Sequence, residues 1–114
     1  MKSFDLEDRT KIFSKEVINF CRKITSNRIN DSLVRQLVRS ATSVGANYRE
    51  ANETDTKKDF RNKVRISKKE AKETIYWLEL VLDTNSEYKN EILLLIEESQ
   101  QLMKILASIY SKTV

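Results

Sequence analysis

The chain runs for 114 residues with no proline and a single glycine, Gly45. A β-rich chain of this length makes many turns, and turns draw on Gly and Pro for their backbone angles. Their near-absence predicts long uninterrupted helices joined by short polar connections. The length suits one domain with one core, over residues 1–114.

Hydrophobic spacing places four such helices. The first is predicted from about Glu7 to about Thr25, with Phe13, Val17, Phe20 and Ile24 on one face and Ile12, Ile18 and Cys21 widening it. Ser26 to Ile29 make the connection, and Asn30 or Asp31 is the expected N-cap of the second helix. That helix carries a heptad-like seam of Val34, Leu37, Ala41, Val44, Tyr48 and Ala51, flanked by Leu33, Val38 and Gly45. Thr54, Asp55 and Thr56 break the pattern and offer caps. The third helix extends to about Leu82 along Phe60, Val64, Ser67, Ala71, Ile75, Leu78 and Leu82. Asp83 to Ser86 lead into the fourth, about Glu87 to Tyr110, with Thr84 and Glu87 spaced as a capping box. Its seam is Tyr88, Ile92, Leu95, Ser99, Leu102, Leu106 and Ile109. Helices of roughly 20 to 30 residues are about 30 to 45 Å long, and short connections return each one antiparallel along the last. The expected fold is therefore all-α, an antiparallel up-down-up-down four-helix bundle.

Apolar side chains exceed what one such bundle needs. Ile92 to Ile96 point in every direction around the fourth helix, and Met103, Ile105 and Tyr110 add to faces outside its seam. The third helix carries a second apolar set, Ile66, Trp77 and Val81. Left exposed, these would form patches that soluble monomers avoid, so a subunit interface is expected.

Several classes of function are disfavoured. With 33% charged and 39% hydrophobic residues, the chain is too apolar for disorder and too interspersed with charge for a membrane span. Met1 to Asp8 is too acidic and polar for a signal peptide, and the lone Cys21 leaves no internal disulfide, so a cytoplasmic location is the simplest expectation. The chain has no histidine. That removes Ser–His and Cys–His pairs, the commonest general base, and the usual zinc and haem ligands, so no enzyme and no cofactor is expected. Glu50 with Glu53, and Glu70 with Glu73, sit at helical spacing but lack the Glu-x-x-His partners of di-iron bundles; ion pairs with Arg and Lys are the simpler reading. Tyr76 and Trp77 read as packing residues and Cys21 as a small core residue. Ser40 to Ala46 form a small-residue patch that lets another helix approach closely, an advantage that offsets the helix cost of Gly45.

The net charge of +4 is unevenly spread: residues 54–72 hold eight basic side chains against three acidic, and residues 73–85 hold none against three. At about 100° per residue, Lys57, Lys58, Arg61, Arg65, Lys68, Lys69 and Lys72 fall within an arc of about 120° and run for about 22 Å, while Lys63 lies elsewhere. Cations near a helix N-terminus oppose its macrodipole. A polyanion is a natural explanation, and these seven are the candidate nucleic-acid-binding residues. A solvated face, or one neutralised by acids of a neighbouring subunit, is the alternative. No aromatic lies among the stripe residues, so contact with phosphates rather than base stacking is expected.

The run Arg39 to Ala51, with Arg39, Ser43, Asn47 and Glu50 in register, resembles the hallmark segment of bacterial four-helix-bundle proteins encoded within intervening sequences of large-subunit (23S) ribosomal RNA genes. Ala51 replaces a commoner glycine, as in one branch of that family. Asp59 with Phe60, and Lys69 to Leu80, are similar to the same branch, so the resemblance covers essentially the whole chain. It implies an antiparallel bundle that assembles as a homopentamer, with no catalytic residues to transfer. A more distant group of similar fold serves reverse transcriptases of diversity-generating retroelements through a basic pentameric surface. Two readings follow: an oligomeric nucleic-acid-binding accessory protein, with RNA or DNA and a reverse transcriptase or another protein as partners, or a structural protein-interaction module that binds no nucleic acid.

Overall fold

The computed structural model describes residues 3–114. Four helices follow in order: α1 (Ser3–Cys21), α2 (Arg28–Asn52), α3 (Lys57–Thr84) and α4 (Lys89–Lys112), with a short 3-10 turn, Ser86–Tyr88, before α4. They pack as an antiparallel up-down-up-down bundle measuring 44 × 23 × 19 Å. The α2–α3 and α3–α4 contacts are extensive, while α1 leans on α2 and touches α4 sparingly.

Local chemistry fixes the helix ends. The α2 N-cap is Asn27, whose side chain accepts from the Asn30 amide at 2.8 Å, so neither Asn30 nor Asp31 has that role. Thr56 caps α3 by accepting from the Asp59 amide at 3.1 Å. The expected α1 of Glu7 to Thr25 ends early. Lys23 and Ile24 donate to carbonyls three residues back, Phe20 and Cys21, which tightens the last turn and stops the helix. The capping box at Thr84 and Glu87 does not form. Thr84 Oγ1 turns back to the Leu80 and Val81 carbonyls, at 3.1 and 3.3 Å, and α4 starts beyond the 3-10 turn.

Asn30 instead stays inside. It and Asn85 are buried and exchange amide hydrogen bonds at 3.2 and 3.1 Å, tying the α1–α2 connection to the α3–α4 connection. Asn30 also donates to the Thr25 carbonyl at 2.9 Å and Asn85 to the Val81 carbonyl at 3.2 Å. Truncation to Asn85→Ala strands the Asn30 amide. Chemical denaturation is expected to show a loss of about 1–3 kcal/mol, the cost of one unsatisfied buried polar group.

The predicted seams form the core. Phe13, Val17, Leu37, Ala41, Val44, Val64, Ala71, Leu78, Ile92, Leu102 and Leu106 are fully buried. Small hydroxyl residues stitch the helices together: Ser67 donates to the Val44 carbonyl at 2.6 Å, Ser99 to the Ala71 carbonyl at 2.8 Å, and Thr74 to Ser40 at 2.9 Å. Gly45 is buried where α2 meets α1, and a Cβ there would lie 2.9 Å from Thr10 Oγ1. Cys21 is buried, and desolvation pushes its thiol up to about 11, which keeps it protonated and inert.

Two expectations about apolar residues need correction. Val81 is 1% exposed and belongs to the core, and Trp77 packs against that core with its indole N–H directed to Glu73 at 3.3 Å. The second apolar set of α3 is thus largely absorbed by the bundle. Ile12, conversely, is 56% exposed and does not widen the core face of α1. It points instead toward the loosely packed α1–α4 side.

Candidate nucleic-acid interface

Helix α3 holds its cations outward as a single face. Lys57, Lys58, Arg65, Lys69 and Lys72 are exposed, and Arg61 and Lys68 are half-buried. Among the described residues, none of these seven pairs with a carboxylate. Lys63, on another side of the helix, does pair, with Glu50 at 3.4 Å.

The face is shared with α4. Antiparallel packing lays the C-terminus of α4 beside the N-terminus of α3. Arg61 Nε donates to the Tyr110 carbonyl at 3.5 Å, and Lys57 Nζ to the Val114 carbonyl at 3.3 Å. Cations at a helix C-terminus complement its macrodipole. Charges that oppose the macrodipole of α3 therefore serve that of α4, and for Lys57 and Arg61 the sequence argument from dipole mismatch does not hold. Lys58, Arg65, Lys68, Lys69 and Lys72 make no such carbonyl contact among the described residues.

The same packing brings an aromatic into the stripe. The guanidinium carbon of Arg61 lies 4.0 Å from the Tyr110 ring centroid, and Lys68 Nζ lies 5.6 Å from it. Further along, Arg65, Lys68, Lys69 and Lys72 of α3 and Met103, Lys104 and Ala107 of α4 line a groove of about 500 Å³. Neither Lys104 nor Tyr110 figures among the sequence-predicted site residues. The antiparallel register could have found them. Ser99 lies against Ala71, and counting back along α3 while counting forward along α4 sets Arg61 opposite Tyr110.

The hallmark residues on α2 have a different task. Arg39 bridges to Glu70 at 3.3 Å and pairs with Glu73; Ser43 donates to the Arg39 carbonyl at 2.6 Å, and Asn47 to the Ser43 carbonyl at 2.9 Å. With Glu50 held by Lys63, the segment clamps α2 to α3. Three of the four carboxylates at helical spacing, Glu50, Glu70 and Glu73, thus take basic partners.

A second groove, about 640 Å³, opens between α1 and α4 over Ile12, Phe20, Leu94 and Leu95, with Glu16, Glu91 and Glu98 at its rim. Ion pairs bridge it, Arg9 to Glu98 at 2.7 Å and Lys23 to Glu91 at 2.8 Å. Leu94 is 67% exposed here, and on other faces Tyr76 is 54% and Leu93 44% exposed. No described helix is long and apolar enough to cross a membrane.

The family described as 23S rRNA-intervening sequence protein matches residues 2–108. The chain belongs to that family. A crystal structure of a protein with unknown function from the S23 ribosomal protein family of Bacteroides thetaiotaomicron shares 33% identity and superposes with a TM-score of 0.84, covering 92% of this chain and 97% of that one. No curated protein matches the chain. Family membership agrees with the resemblance carried by Arg39, Ser43, Asn47 and Glu50. Neither the family nor the solved relative indicates an enzyme.

Proposed function

We propose that the protein is a non-enzymatic, self-associating bundle that binds RNA or DNA through phosphates along α3, as an accessory factor in a ribonucleoprotein or beside a reverse transcriptase. One observation carries this reading: seven cations share one face, and none is neutralised by a carboxylate among the described residues. Side chains left unpaired over about 22 Å can meet several successive phosphates, spaced roughly 3.4 Å along one strand of B-form DNA. Binding of this kind depends little on sequence. Its logarithmic salt slope is about −0.9 for each phosphate contacted on duplex DNA. Filter binding from low to physiological salt tests it. Steep salt dependence across unrelated sequences is the expected result. Failure to bind either nucleic acid at low salt would leave a protein-interaction module, with the basic face serving as a docking surface.

Self-association rests on the exposed apolar residues. A homopentamer, the assembly implied by the family resemblance, closes through a heterologous contact in which two different faces meet. The α1–α4 groove, with Ile12 and Leu94 exposed, suits one of those faces. Light scattering is expected to give about five times the 13.4 kDa chain mass. Leu94→Lys should lower that mass while leaving the helical circular dichroism unchanged. A wild-type monomer at micromolar concentration would overturn the assembly.

A further inference from the structure

We propose that the α3–α4 face is built for single-stranded nucleic acid, with the Arg61–Tyr110 pair as a base-stacking platform and the adjoining groove as the seat of the neighbouring nucleotide. This rests on the phosphate-binding reading and adds to it the class of strand and the residues that select it.

The groove is not a plain cationic surface. Its walls are Arg65, Lys68, Lys69 and Lys72 on one side and Lys104 on the other, while Met103 and Ala107 contribute apolar surface between them. Phosphate alone has no use for that apolar surface. A base or ribose does, and the volume of about 500 Å³ falls in the range of small-molecule sites. A duplex keeps its bases stacked inside and can offer the groove only phosphate and sugar. A single strand offers both phosphate and a π-face.

The platform lies toward the N-terminal end of the stripe. Arg61 stands over the Tyr110 ring at 4.0 Å, and its backbone contact to the Tyr110 carbonyl holds it there. A guanidinium plane fixed on an aromatic ring accepts a base on its outer side, which extends the stack from phenol to guanidinium to base. Lys68, 5.6 Å from the same ring, stands between platform and groove, where it can meet the intervening phosphate. The strand would thus run along α3 from Arg61 toward Lys72, with bases turned in toward α4 and its backbone over the lysines. Such stacking tolerates any base, so the site reads strand state and not sequence.

Fluorescence anisotropy with labelled 12-nucleotide oligo-U, oligo-dT and a blunt 12-base-pair DNA duplex tests this at low salt. Both single strands are expected to bind at least about tenfold tighter than the duplex, in line with alanine-substitution effects for base–aromatic stacking. Tyr110→Leu should lower single-strand affinity about tenfold with little change in salt slope, because it removes a ring and no charge. Tyr110→Phe keeps the ring, and the Tyr110 hydroxyl makes no hydrogen bond among the described residues, so this variant should bind like wild type. Lys104→Gln should reduce the salt slope by about one contact. Duplex bound as tightly as single strands, with Tyr110→Leu indistinguishable from wild type, would overturn the single-strand site and leave phosphate binding intact. Absence of all binding would overturn both. Tighter oligo-U than oligo-dT would place RNA ahead of DNA within the same site.

Discussion

Reversing Arg65, Lys68, Lys69 and Lys72 together to Glu is expected to abolish nucleic-acid binding while helicity stays at the wild-type level. These four are the right set because the bundle does not use their charge. Lys57 and Arg61 contact carbonyls at the C-terminal end of α4, so reversing them would place anions against the negative end of that helix and confuse a binding defect with a folding one. Arg65 has only a local contact, to Asn62 at 3.0 Å, and the four align along one edge of the groove shared with α4. Glu and Lys have similar helix propensity, so α3 itself should tolerate the change. Binding should not. Six to ten phosphate contacts are worth about 10³–10⁵ in affinity over a fourfold rise in salt, and replacing four attractive contacts with four repulsive ones removes more than that. Anisotropy titration at low salt should show no saturation for the variant. Wild-type affinity in the variant would show that the stripe is a solvated face. Retained light-scattering mass in the same preparation would separate binding from assembly.

The periodicity of the chain carried most of the fold, because burial in a bundle is a property of spacing. Leu37, Ala41, Val44, Tyr48 and Ala51 recur at three and four, and all are buried. Spacing was blind to neighbours. Val81 lies away from the Phe60–Leu82 seam on a helical wheel, yet α3 contacts helices on two sides, so its buried arc is wider than one seam. Ile12 failed the other way, since α1 meets α4 only sparingly and that flank of α1 stays open. The caps were missed where several Asn, Asp and Thr residues competed for one position: Asn27 took the N-cap because Asn30 was drawn inside by Asn85. The cationic face could be read within α3 alone. Its aromatic and its far wall, Tyr110 and Lys104, belong to α4 and emerge only when the two helices are set side by side.

The other large effect is expected at Gly45. Even a methyl group there meets Thr10, with the added Cβ at 2.9 Å from Oγ1 and 3.2 Å from the Thr10 Cβ. Thr10 has little room to yield: it is fully buried, and its hydroxyl donates to the Glu7 carbonyl at 2.9 Å. Gly45→Leu therefore pushes α1 from α2 where the bundle is already thin, since α1 has few contacts with α4 to hold it in place. Overpacking of this kind costs about 1–3 kcal/mol, and the higher helix propensity of Leu returns only about 0.8 of that. The net loss should lie near the upper end, because Leu adds three further carbons beyond the clashing Cβ. Thermal unfolding should reveal it as a fall of several degrees, at roughly 4 °C per kcal/mol for a chain of this size. Gly45→Ala isolates the contact. Alone it should gain less than the ~1 kcal/mol an open helix position would give, and paired with Thr10→Ala, which removes the clashing hydroxyl, it should recover part of that gain. A Gly45→Leu protein that melts with wild type would mean that α1 and α2 do not touch at this point, and additive effects in the double variant would mean that Thr10 is not what Gly45 accommodates.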